Sequence, residues 1–103
     1  MKAKEIEVKK VLSMGKCYDF FSRYGYFIYE ESEDLLVLKK SGTAWAFSLK
    51  HFPLELSFKI IGKSTTVSLK YDTWVLFDTG DLREELHRIY NIIEAHSQKL
   101  IAK

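Results

Sequence analysis

Residues able to do covalent or metal chemistry are few in this chain, and their spacing decides most of the question. Cys17 beside a histidine would make a nucleophile with its base, but His51, His87 and His96 are distant from it and from one another in sequence. No two of the histidines stand at the i, i+4 separation that puts two ligands on one helix face. The sequence therefore gives no metal site and no cofactor, and Cys17 reads as a buried, inert thiol on the apolar stripe of a helix. Gly62-Lys63-Ser64 matches the end of a phosphate-binding loop, yet lacks the upstream glycine and the following helix.

The stretch Val75-Leu76-Phe77-Asp78-Thr79-Gly80-Asp81 holds two hydrophobic residues followed by Asp-Thr-Gly. It resembles the active-site signature of the aspartic proteases. In that family two such loops bring two carboxylates together to share one proton, and a homodimer supplies the second loop when the protomer is a single domain. Such a loop falls early, with strands and a glycine-rich flap after it. Here Asp78 comes late, a charged amphipathic helix follows, and Asp81 stands where the family has a small residue. The residues have a simpler use: Val75 and Phe77 continue a strand, Asp78-Thr79-Gly80 turns the chain and Asp81 caps the next helix. The expectation is no enzyme.

With 103 residues, 47% of them hydrophobic and 29% charged, the chain belongs to the globular class and has the length of one domain, residues 1–103. A single cysteine leaves no intramolecular disulfide. The longest apolar runs, such as Leu35-Leu36-Val37-Leu38, are too short to span a membrane. The opening residues lack an apolar signal core, so a cytoplasmic location is expected. The small net charge of +2 hides alternation. Residues 17–38 are acidic, with one arginine against five acids, whereas 39–70 are basic, with six lysines against one glutamate.

These residues need elements to position them. Residues 3–12 suit a strand or a helix equally, since Ile6 and Val8 alternate while Val8, Val11 and Leu12 fit a helical face. From Ser13, which can cap, Met14, Cys17, Tyr18, Phe21 and Tyr24 recur at helical spacing, and Gly25 suits the left-handed position that ends the turn. The period then changes to two. Residues 26–31 and 35–40 flank an acidic turn at Ser32 and Glu33. Ser41-Gly42 reads as a two-residue hairpin loop into a strand over 43–50, and Gly62-Lys63 as another between 54–61 and a strand from 64 to 77. From Asp81 to Leu100 the apolar positions Leu86, Ile89, Tyr90, Ile93 and Leu100 predict one long helix, capped by Asp81 with Glu84 three residues on. The fold class is α+β: a two-layer sandwich in which an antiparallel β-meander of about five strands is packed on one face by an N-terminal helix and a long C-terminal helix.

Three kinds of binding follow from that sheet. If strand parity runs unbroken to Phe77, Trp74 and Leu76 face outward beside Lys59 and Lys70, and an exposed apolar pair on a polar face suggests a protein partner or a homodimer. Tyr18, Phe20, Phe21, Tyr24, Tyr26, Phe27, Trp45, Phe47, Phe58 and Tyr71 crowd the inward face. The element order is similar to helix-grip domains, in which a curved sheet around a C-terminal helix encloses an apolar cavity. That resemblance implies an apolar small molecule near Tyr18, Tyr26, Trp45 and Tyr71. The outward lysines also suit a phosphate backbone, but the aromatics needed to stack bases take the opposite face, so nucleic acid is the least favoured of the three. The first expectation is a non-enzymatic interaction module.

Overall fold

A computed structural model describes residues 3–42, 53–73 and 80–102. Its elements are β1 (Lys4–Val8), α1 (Met14–Phe21), β2 (Tyr26–Glu31), β3 (Leu35–Lys40), β4 (Leu54–Ile61), β5 (Ser64–Tyr71), α2 (Asp81–Ala95) and a last short helical turn, α3 (Ser97–Leu100). The five strands form one antiparallel sheet in the order β1-β5-β4-β3-β2. Helices pack on one face, so the α+β two-layer arrangement is established. The ambiguous N-terminal residues are a strand, paired with β5 from Lys4↔Leu69 to Val8↔Thr65.

Alternation makes the sheet two-faced. Leu54, Leu56 and Phe58 of β4 and Thr65, Val67, Leu69 and Tyr71 of β5 are buried on one side. Glu55, Ser57, Lys59 and Ser64, Thr66, Ser68, Lys70 take the other side. The helices divide the apolar face between them: α1 lies against β2 and β3, and α2 against β5 and β1. Phe21 and Phe58, both essentially fully buried, meet where α1 crosses the sheet, with ring centres 5.7 Å apart. Leu82, Leu86, Ile89 and Ile93 are the buried stripe of α2.

Thr65 is the one polar residue buried in this core among the described residues. Its hydroxyl accepts from the Leu12 amide (3.1 Å) and donates to the Lys10 carbonyl (2.8 Å), and so pins the chain as it leaves β1 for α1. The same segment is tied to the C-terminus, because the Ser13 amide donates to the Leu100 carbonyl at 2.8 Å and Ala102 to Val11 at 2.9 Å.

Local signals act as their chemistry dictates in several places. The Ser13 hydroxyl caps α1 by accepting from the Lys16 amide. Gly25 takes φ 92° where the chain leaves the single 3-10 turn, Ser22–Tyr24, that follows α1. Gly62 takes φ 63° as the first residue of the two-residue loop joining Ile61 to its partner Ser64.

Other expectations need correction. Lys40 pairs with Tyr26 on one side and Leu54 on the other. Both edges of β3 are thus occupied, and Ser41-Gly42 is not a hairpin loop to a new neighbour of β3. The strand expected over 43–50 lies outside the described residues. The ladder of β5 ends at Tyr71, where the chain bends at Asp72 and Thr73, so the unbroken parity that aimed Trp74 and Leu76 outward does not hold up to residue 73. Asp81 does not cap α2; Gly80 holds that position at φ 97°, and Asp81 and Glu84 both sit in the first helical turn. Acids there favour the positive end of the helix dipole. The long C-terminal helix stops at Ala95. At His96 the backbone leaves helical geometry and the ring Nδ1 lies 3.0 Å from the Ile92 carbonyl, before one further turn buries Leu100.

Candidate functional site

Trp74, Leu76 and Trp45 lie outside the described residues, as do Asp78, Thr79 and His51. The remaining predicted positions fall into two separate places. Lys59 and Lys70 are exposed on the outward sheet face as expected. Tyr26 and Tyr71 are buried at one end of the apolar side, whereas Tyr18 is half-buried against the core.

On the outward face Lys70 and Lys39 are balanced by acids. Lys70 reaches Glu55 at 3.4 Å, and Lys39 reaches Glu55 at 3.9 Å and Asp72 at 3.3 Å. Toward the β1 edge, Glu5 accepts from the Ser68 hydroxyl and Glu7 lies across from Thr66. Among the described residues this part of the face alternates in sign, whereas a phosphate backbone is tracked by a continuous positive strip.

Toward the other edge the outward face turns apolar. Phe27 pairs with Lys39 across β2 and β3 and is 46% exposed, and Tyr29 is 62% exposed. The half-buried Val37 lies opposite Glu30 next to the bulge, while Leu35 and the exposed Ile61 stand toward the other end of β3 and β4, Leu35 opposite Lys59. The Lys39 ammonium sits 3.9 Å above the centre of the Tyr29 ring, which fixes that ring on the outward side. This is the surface that the sequence reading missed. Phe27 was expected to face inward, as was Tyr24, which is 37% exposed. The signal was present: Tyr26 and Phe27 are adjacent in a strand and cannot share a face. Tyr26 faces in, so Phe27 faces out. A bulge between Ile28 and Glu30 then restores outward parity for Glu30 opposite Val37, leaving Tyr29 as the extra residue.

The second place is a cavity of about 430 Å³ at the sheet end where β3 finishes and β4 begins, closed on one side by the first turns of α2. Leu54, Tyr71 and Leu82 give it an apolar floor, while Lys40, Glu84, Glu85 and Arg88 supply charge. Arg88 grips Glu85 with two guanidinium nitrogens, a pairing that raises its already high pKa further. Tyr26 flanks this region, with its ring 5.5 Å from the Lys40 ammonium. Burial pushes its phenol well above the usual value; Glu85 adds to the effect and Arg88 opposes it. Tyr26 therefore stays protonated. Of the three described pocket candidates, Tyr71 lines the cavity and Tyr26 borders it through Lys40, but Tyr18 is not part of it.

Cys17 is fully buried on α1, and desolvation pushes its thiol up to about 12. A thiol so protonated is a poor nucleophile at neutral pH. Among the described residues no three of His, Cys, Asp and Glu gather as a metal site would require, and no helix is long and apolar enough to cross a membrane. Comparison with family models, with curated proteins and with solved structures finds no match to this chain.

Proposed function

We propose that this chain is a non-enzymatic interaction module that self-associates at the β2 side of its sheet, where large rings are exposed on the outward face. The observation carrying this reading is the exposed pair of large rings, Phe27 and Tyr29, on β2, with the half-buried Val37 on the adjacent strand. Scattered apolar side chains on a surface need no explanation, but large rings grouped on one edge of an otherwise polar face mark a contact surface. Aromatic side chains are also the usual anchors of such surfaces, because they bury much area for little lost rotamer freedom. The inert state of Cys17 supports the absence of nucleophilic catalysis there.

Replacing Phe27 and Tyr29 together by Thr, which keeps strand propensity, tests the reading. Self-association measured by sedimentation should weaken by roughly tenfold or more. Thermal stability should move little, each residue costing under about 1 kcal/mol because both side chains are exposed at the surface. Association unchanged in that variant contradicts the assignment of the surface.

The cavity between the sheet end and α2 favours a second reading, the binding of a small apolar molecule against Leu54, Tyr71 and Leu82. An occupant at about 100 times its Kd would raise stability by about 2.7 kcal/mol. Protein extracted with organic solvent and refolded should then melt several degrees lower than protein never denatured, and Leu54→Trp, which fills the space, should remove the difference. Identical melting of the two wild-type preparations contradicts this reading.

A further inference from the structure

We infer that the second copy docks edge to edge, with β2 pairing antiparallel to β2 of the other chain about a two-fold axis between Ile28 and Tyr29, so that two sheets become one. This rests on the self-association reading above and names its partner and register. β2 is an outer strand of the sheet, and among the described residues its backbone bonds only to β3. An outer strand of this kind offers unpaired amides and carbonyls to another strand.

Side-chain parity narrows the register. Residues opposed in an antiparallel pair share a face. Tyr26, Ile28 and Glu31 belong to the helix side, and Phe27 and Glu30 to the outward side, with the bulge at Tyr29 between them. A two-fold axis between Ile28 and Tyr29 sets Tyr26 against Glu31 and Phe27 against Glu30, inward with inward and outward with outward; the bulge pair at the axis, Ile28 against Tyr29, is the exception, an inward residue facing an outward one. It uses the whole strand, and the two bulges coincide at the axis, so six residues oppose six. A bulge ordinarily blunts an edge, yet here its duplication cancels the offset.

Charge agrees with the same register. Neither Glu30 nor Glu31 makes an ion pair among the described residues, and neither does Lys40. In the dimer Glu31 of the second copy lies beside Tyr26, with Lys40 on the far side of that residue and on the same face. Two strand spacings, about 10 Å of backbone separation, are within the joint reach of a Lys and a Glu side chain. The two-fold axis makes this contact twice. Glu30 falls likewise toward Lys39, which Glu55 and Asp72 already hold. The acidic and basic segments adjoining in the sequence, residues 17–38 and 39–70, thus become complementary strips across the axis.

The test is a charge exchange read by native mass spectrometry and sedimentation. Glu31→Lys and Lys40→Glu should each weaken the dimer by roughly tenfold, since both copies of the contact turn from attraction to repulsion. An equimolar mixture of the two variants restores complementary charge at both contacts. It should form a heterodimer, identified by its mass, at near wild-type affinity. Both positions are at least partly exposed, and far-ultraviolet circular dichroism checks that each variant folds. If Lys40→Glu disturbs folding through the Tyr26 ring, Lys40→Gln mixed with wild type gives a graded loss instead. A wild-type dimer insensitive to both exchanges overturns this register while leaving the interaction reading in place. A wild-type monomer overturns both.

Discussion

Phe58→Ala lowers stability by about 3–5 kcal/mol, the largest single effect that the structure predicts. Phe58 is fully buried on β4, the middle strand of five, with Leu36 opposite it on β3 and Val67 on β5. Its ring also meets Phe21 of α1 at 5.7 Å, so it joins the sheet to the helix that crosses it. Truncation removes the transfer energy of the ring and leaves a hole walled on two sides by strands whose hydrogen bonds resist collapse. For a domain of this length that loss lowers the melting temperature by roughly 15–30 °C. Lys59→Ala, one residue along and exposed, should cost under about 0.5 kcal/mol. Calorimetry of the two variants checks the pair, and equal melting temperatures would contradict the placement of the core.

Thr65→Val is the second, at about 2–4 kcal/mol. The substitution is nearly isosteric, so its cost comes from two buried hydrogen bonds and not from a cavity. The Leu12 amide and the Lys10 carbonyl both lose their partner, and because Leu12 and Thr65 are fully buried the Leu12 amide is left unsatisfied. The effect should be local as well as global, since residues 10–12 join β1 to α1 and Val11 accepts from Ala102. Amide exchange at Leu12 and Ala102 should accelerate more than exchange within β4. Thr65→Ser keeps the hydroxyl and should cost only about 1 kcal/mol, for the missing methyl. A Val variant as stable as the Ser variant would show that the hydroxyl does not hold the segment.

What the sequence made legible follows from local periodicity. The inward set of β4 and β5, Leu54, Leu56, Phe58, Thr65, Val67, Leu69 and Tyr71, is readable because alternation and the Gly62-Lys63 loop fix the face and the register together. The buried stripe of α2 is readable for the same reason at a different period. Nonlocal choices were not readable. Ile6 and Val8 fit either a helix or a strand, and only pairing with β5, far along the chain, selects the strand. Thr65 was recognisably inward, but nothing local names Lys10 and Leu12 as its partners. The outward placement of Phe27 and Tyr29 follows from alternation once Tyr26 faces in; what the bulge hides is the facing of Glu30 and Glu31, since it changes the phase of a strand without changing its composition. Asp81 illustrates a smaller failure: an Asp-x-x-Glu pair suits a cap, but a glycine before it can take the left-handed backbone and move the helix start by one residue.

The two edges of the sheet provide an internal control for the proposed contact surface, since β1 and β2 are both outer strands. Backbone amide hydrogen exchange of the wild-type protein should therefore be followed over a wide concentration series. Amides within residues 26–31 should become more protected as concentration rises, while those of residues 4–8 exchange at a constant rate. Exchange in residues 26–31 that is independent of concentration, or protection that grows at residues 4–8 instead, would contradict the assignment of β2 as the surface through which this protein associates.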